Sequence, residues 1–221
     1  MRIEDMVERS VKLFDRHEAR YSRGWFFDIL DWKFMDSRTC WIRMVFDHER
    51  DDTNAIYISG DLGEAVVYPT FHSSLRNMAD AFTWRDNDGR LCIRPHYFIE
   101  KVKASSDLYD WDMEYFQEDL LEKHDERYGK TADATDLNAF FAEYCDGWKD
   151  SILLRDGAFV TDRFAQEDLK SIFSDYEEWI HDCGRRVNER VVCWLVAARL
   201  AYEQMESSSE RKENDARERD S

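Results

Sequence analysis

The densest group of residues able to do chemistry lies in the first half of the chain, where Asp47-His48-Glu49 is followed by Asp51-Asp52. Carboxylates beside an imidazole are what divalent-metal binding or acid–base proton transfer uses. Neighbouring residues in a polar turn rarely converge on one ion, however, so a solvated loop accounts for the same cluster. Farther on, His181-x-Cys183 together with Cys193 offers ligand types that zinc takes. Both cysteines also fit apolar stripes, where a free cysteine behaves as a small hydrophobe. A thiol–imidazole nucleophile pair drawn from Cys145, Cys183, His124 and His181 is unconstrained by spacing. Asp86-Asn87-Asp88-Gly89 has the look of a calcium loop but fails on counting, since Trp84 would stand at the first ligand position and Pro95 at the twelfth. Glu64 is followed by Ala65-Val66, which breaks a nuclease-type Glu-x-Lys pattern. Gly-rich phosphate loops, HExxH, GxSxG and CxxC are all missing. The sequence therefore assigns no catalytic residue, no metal and no cofactor.

A different constellation suits recognition. Asp107, Asp110, Asp112, Glu114, Glu118, Asp119 and Glu122 form the densest acidic run, with Trp111 inside it. Rows of carboxylates on an exposed helix imitate a phosphate backbone, and a partly exposed tryptophan can anchor a protein interface. Trp25, Trp32, Trp84 and Trp179 also lie beside charged residues, whereas Trp41, Trp148 and Trp194 fall on apolar faces and are expected in the core.

These residues must be held by elements. From Cys40 to Phe71 three runs of β-branched and aromatic residues, Cys40–Phe46, Ala55–Ile58 and Ala65–Tyr68, are separated by polar turns. The short connections predict antiparallel pairing, and Gly60 and Gly63 suit a tight reversal. Trp25–Trp32 reads as a fourth strand. Ahead of it, Ile3, Met6, Val7, Val11 and Phe14 predict an amphipathic helix over residues 2 to 21. His72-Ser73-Ser74 offers a cap for a helix carrying Leu75, Met78, Ala79 and Phe82. A short Leu91–Ile93 strand and a helix from Pro95 through Val102 follow.

The second half reads as helical. Asp110 or Asp112 caps a helix ending at Gly129, and Leu137, Phe140, Phe141, Tyr144, Cys145 and Trp148 form a second stripe. Gly157 falls in a loop. Leu169, Ile172, Phe173, Tyr176 and Ile180 form a third stripe, closed by Gly184. The last helix, from Arg185 to Met205, is apolar nearly all round over Val191–Ala198 and is expected at the centre of a helical subdomain. Ser207–Ser221 has no apolar residue larger than alanine and reads as a disordered tail. The expected fold is α+β: an N-terminal helix and a small antiparallel sheet of three to four strands (1–104), packed with a mostly helical region (105–206) and followed by the tail (207–221).

Composition narrows the function. The 221 residues carry 48 acids against 31 Lys and Arg, a formal charge of −17. That field repels nucleic acid, so no direct nucleic-acid binding is expected, although solubility alone also explains the charge. No stretch approaches the roughly 20 apolar residues of a membrane span, and MRIEDMVERSVKLF lacks the apolar core of a secretory leader. Cytoplasmic residence is the expectation, and the odd, scattered set of five cysteines reads as free thiols. Nothing in the sequence sets an oligomeric state.

The hairpin Ile58-Ser59-Gly60-Asp61-Leu62-Gly63-Glu64-Ala65-Val66-Val67-Tyr68, preceded by the Trp41–Phe46 strand and followed by His96-Tyr97-Phe98-Ile99-Glu100-Lys101, resembles small phage and prophage proteins over about residues 25 to 120. Leu62 departs from the aromatic residue of that pattern. The resemblance implies a mobile-element setting, with the host-cell cytoplasm as the compartment, and supplies no catalytic residue. In that setting small acidic proteins inhibit host defence nucleases, as anti-CRISPR proteins do. The leading expectation is an acidic, non-enzymatic inhibitor that binds a protein partner, a nucleic-acid-binding nuclease, by nucleic-acid mimicry. Two alternatives stand beside it: an enzyme with a carboxylate or His site near the meander turns, around His48, Asp61 or His72, and a structural or assembly protein marked by a self-complementary apolar patch.

Overall fold

Helix α1 spans Ile3–Leu13 in the computed structural model, which describes residues 2–34, 39–48, 54–105, 107–145, 154–155, 158–159 and 163–219. Glu49, Asp51, Asp52, Trp148 and Gly157 lie outside the described residues. The helix stops well short of residue 21. Beyond Phe14 the side chains segregate by two rather than by 3.6, with His17, Ala19 and Tyr21 facing inward and Glu18, Arg20 and Ser22 outward, and His17–Ser22 is strand β1. It pairs antiparallel with β2, Phe27–Phe34, which in turn pairs with β3, Ile42–Asp47. Strands β4 (Ala55–Gly60) and β5 (Ala65–Val67) complete the expected meander.

After β5, helix α2 (Leu75–Phe82) starts within the expected His72–Ser74 capping segment, at Ser74, whose hydroxyl accepts the Asn77 N–H at 3.2 Å. Strands β6 (Thr83–Arg85) and β7 (Leu91–Ile93) then form a hairpin. Its Asp86 turn is closed by the Asp86 carboxylate accepting from the backbone N–H groups of Asp88 and Arg90. Helix α3 covers only Pro95–Ile99. The Lys101 carbonyl accepts from Tyr68 N–H at 2.9 Å, drawing the chain to the sheet edge, and Val102–Ser105 becomes strand β8 instead of continuing the helix. The sheet thus has six strands in the order β1-β2-β3-β4-β5-β8, more than the three or four expected, and the protein is α+β.

Strand β9 (Tyr109–Trp111) leads to helix α4 (Met113–Tyr128), which is capped by Asp112 and ends at Gly129, and then to α5 (Thr135–Tyr144). The short strands β10 (Leu154–Arg155) and β11 (Ala158–Phe159) precede α6, Arg163–Ile172. The stripe from Leu169 to Ile180 is not one helix. After Ile172 it breaks into two 3-10 turns, Tyr176–Glu178 and Ile180–Asp182, and still buries Leu169, Phe173, Tyr176 and Ile180. Strand β12, Arg185–Val187, precedes α7, Glu189–Arg219.

Two compact units result, Met1–Leu108 with Val187–Ser221, and Tyr109–Arg186. They differ from the division at residue 104, because α7 belongs with the N-terminal region. Val191, Val192, Trp194, Leu195, Val196 and Ala198 share one core with Met6 and Val7 of α1, Leu75, Met78 and Phe82 of α2, and the inward residues Leu30, Trp32, Met44, Phe46, Ile56 and Ile58 of the sheet. A helix apolar all round needs enclosure, and one sheet face plus two helices provide it. The second unit has its own core of Phe116, Leu120, Leu137, Phe140, Leu169 and Phe173, among others. Residues 207–219, expected to be disordered, continue α7 as helix. Extending a helix from a fixed nucleus costs little, and the Ser207, Ser208 and Ser209 hydroxyls donate to the carbonyls of Glu203, Gln204 and Met205 one turn back.

Candidate functional site

The acidic run proposed from sequence is divided by the fold. Asp107 is exposed and belongs to the first unit, and the other six acids, with Trp111, belong to the second. Within that unit, Asp112 caps α4 by accepting the Glu114 N–H at 3.0 Å and pairs with Arg186 at 2.9 Å. Asp119, two helical turns along on the same side, accepts the Gly184 N–H at 2.7 Å. The Trp111 indole N–H donates to the Cys183 carbonyl at 3.2 Å, and the Asp112 N–H donates to the Gly184 carbonyl at 2.9 Å. Trp111, Asp112 and Asp119 therefore hold the turn at Cys183–Gly184. That turn has no space for another residue type: Gly184 has φ +76°, and a Cβ there would stand 2.3 Å from the Trp111 indole nitrogen.

Asp110 is half-buried, whereas Glu114, Glu118 and Glu122 are exposed. Spaced by four residues, these three glutamates line up along one side of α4 at steps of about 6 Å. Glu126, next along the same line, is paired with Lys123 at 2.8 Å. The exposed remainder of the run is thus a ridge of three carboxylates beginning in the first helical turn, where negative charge is favoured.

The residues considered for catalysis are placed apart. His48 and His72 do come together, their rings stacked at 5.6 Å. Asp61 lies at the other end of the strands, accepting the Trp41 N–H at 3.2 Å, and the six residues of β3 put about 20 Å between them. Two imidazoles fall short of the three or four ligands that zinc takes. Among the described residues no three His, Cys, Asp or Glu side chains are grouped so as to hold a metal ion. Burial, with Asp119 adding to it, pushes the Cys183 thiol up to about 12, and burial likewise pushes Cys193 to about 11. Both stay protonated at neutral pH, the wrong state for a nucleophile or a metal ligand. His124 packs against the rings of Tyr128 and Phe173.

One surface emerges that sequence reasoning saw only in part. Helices α1, α2 and α7 share the core on one side of the six-stranded sheet, and its opposite face carries the outward residues. Registered across the strands, Ser22, Ile29, Val45, Tyr57, Val66 and Ala104 form one row. Beside it Phe27 stands opposite Asp47, and Tyr57 lies close enough to Asp47 and Tyr68 for both to push its phenol upward, secondary to burial. At the β1–β2 turn Trp25 is 95% exposed and Phe26 54%. Phe27, Tyr57 and Tyr68 are also exposed. Trp25 is one of the tryptophans that the sequence sets beside charged residues. Trp32 is another, but it is buried in the core, while Trp41, expected there, is half-buried with Arg43 stacked over its ring at 5.4 Å. The signal available in sequence was alternation: in Phe27–Phe34, Phe27 and Ile29 share the face opposite Leu30 and Trp32.

Comparison of the chain with protein-family models, with curated proteins and with solved structures yields no match.

Proposed function

We propose that this protein works by binding another protein, as an acidic inhibitor of a nucleic-acid-binding partner. The observation that carries the reading is the Glu114, Glu118 and Glu122 ridge, three exposed carboxylates in line on a helix whose opposite side is fixed by Phe116 and Leu120 in a core. One charge per about 6 Å of helix is roughly half the axial density of a single nucleic-acid strand, which carries one per 3.4 Å. A rigid ridge of that density fits a cationic channel and, in a chain of −17, is steered toward it over long range. The hairpin resemblance to phage proteins adds the class of partner, a host defence nuclease, and the host cytoplasm as the setting.

The test is a binding and inhibition assay of the purified chain against a panel of defence nucleases with and without their nucleic acid. Inhibition that competes with the nucleic acid, weakens as salt rises, and is lost in a Glu114→Lys, Glu118→Lys, Glu122→Lys triple variant is the expected outcome. Nucleases left unbound and fully active, or a triple variant as potent as the parent, would refute the reading.

A further inference from the structure

The outward face of the six-stranded sheet belongs to the first unit and is independent of the α4 ridge. We infer that it is a self-association surface whose occupant is a second copy of this chain. Three observations select that occupant.

The first is charge. In a chain of −17, almost any surface brought against its own copy meets like charge. This face is balanced: Glu18, Asp31 and Asp47 are matched by Arg20, Lys33 and Arg43, all outward by strand alternation. The second is order. Cross-strand register sets Glu18 against Lys33 and lines up Arg20, Asp31 and Arg43 as an alternating ladder, with Arg43 and Asp31 bonded at 2.7 and 3.1 Å. A two-fold axis along the strands between β2 and β3 reverses this ladder. Asp31 of each copy then lies over Arg43 of the other, and Ile29 over Val45, the self-complementarity an isologous interface requires. The third is size. Six strands about 4.8 Å apart and about six residues long at 3.3 Å each give a footprint near 500 Å². Two such faces total about 1,000 Å², where specific interfaces begin. The exposed rings of Phe27 and Tyr57 supply the aromatic anchors such interfaces favour. Two sheets stacked this way form an ordinary aligned packing about 10 Å thick.

The experiment is sedimentation equilibrium of the full chain across the micromolar range, with circular dichroism to verify that each variant is folded. The parent should show a concentration-dependent dimer. Phe27→Ser with Tyr57→Ser should raise its dissociation constant about tenfold or more. Asp31→Arg and Arg43→Asp chains, each monomeric alone because positions 31 and 43, which face each other across the axis, then carry the same sign, should form a mixed dimer when combined, an effect that misfolding cannot imitate. A parent chain that stays monomeric throughout, including one that instead floats with lipid vesicles or joins only a different protein, overturns the inference. So does a dimer indifferent to the two aromatic substitutions, or a mixture that fails to associate.

Discussion

Gly60 shows how one residue fixes the hairpin that the sequence marked first. It adopts φ +138°, and a Cβ there would lie 2.1 Å from the Trp41 carbonyl oxygen, a backbone atom held in place by the β3–β4 ladder. Gly60→Ala is expected to cost about 3 kcal/mol or more, strain and clash together. Gly89→Ala, where φ is +78° but no atom lies within 4 Å, should cost about 1 kcal/mol, and denaturant midpoints will separate the two. His17 is a second residue whose surroundings decide its chemistry. It is buried against Phe14 and stacked on Trp32. Burial lowers its pKa from 6.5, while the backbone of Cys40 and Thr39 and the Asp15 charge act less strongly the other way. Since the unfolded chain takes up a proton below 6.5 and the folded chain resists it, His17 contributes a loss of stability that grows as pH falls below 6.5. Between pH 6.5 and 5.5 that loss is at most about 1.4 kcal/mol. His17→Leu should flatten this part of the stability–pH curve measured by urea unfolding. The free thiols were legible in the sequence from their apolar settings; the depressed histidine was not, because nothing local shows that residue 17 faces a core.

At the scale of elements, α4 carries two populations of acid that the sequence cannot tell apart. Asp112 and Asp119 face a turn that arrives from more than 60 residues away, whereas Glu114, Glu118 and Glu122 face outward. Asp119→Ala should cost about 2 kcal/mol, the loss of a charge-assisted bond to a backbone N–H. Replacing the three glutamates by Gln should leave stability unchanged or slightly higher, since like charges four residues apart repel. Thermal melts of the two variants will show the contrast. Caps were readable in advance to within a residue or two, in His72–Ser74, at Asp110 or Asp112 and at Gly129, because capping is a local matter of one side chain or one glycine; the fold selects Ser74 and Asp112. Helix ends without such signals were not: α1 and α3 both yield to strands, β1 and β8, whose pairing partners stabilise an alternative that local periodicity does not register.

At the scale of the whole molecule, the second unit is an insertion between Leu108 and Val187, and the Asn188 N–H donates to the Leu108 carbonyl at 2.9 Å. Because the two ends are that close, replacing residues 109–186 by a short Gly-Ser bridge should leave the first unit folded by circular dichroism and NMR dispersion. Ending the chain at Arg186 should unfold that unit, since it removes Trp194 and the surrounding apolar residues from its core. Among the described residues no helix is long and apolar enough to cross a membrane. By itself the sequence determined the α+β class, the meander and its antiparallel sense, the caps and the acidic run, all features set by neighbours in the chain or by periodicity. Only the tertiary structure decided which acids remain exposed, that α7 completes the N-terminal core, and that one sheet face is left with aromatic residues and a balanced charge ladder. Each of those depends on residues distant in sequence meeting in space, and burial by a remote partner leaves no local mark on the residue that is buried.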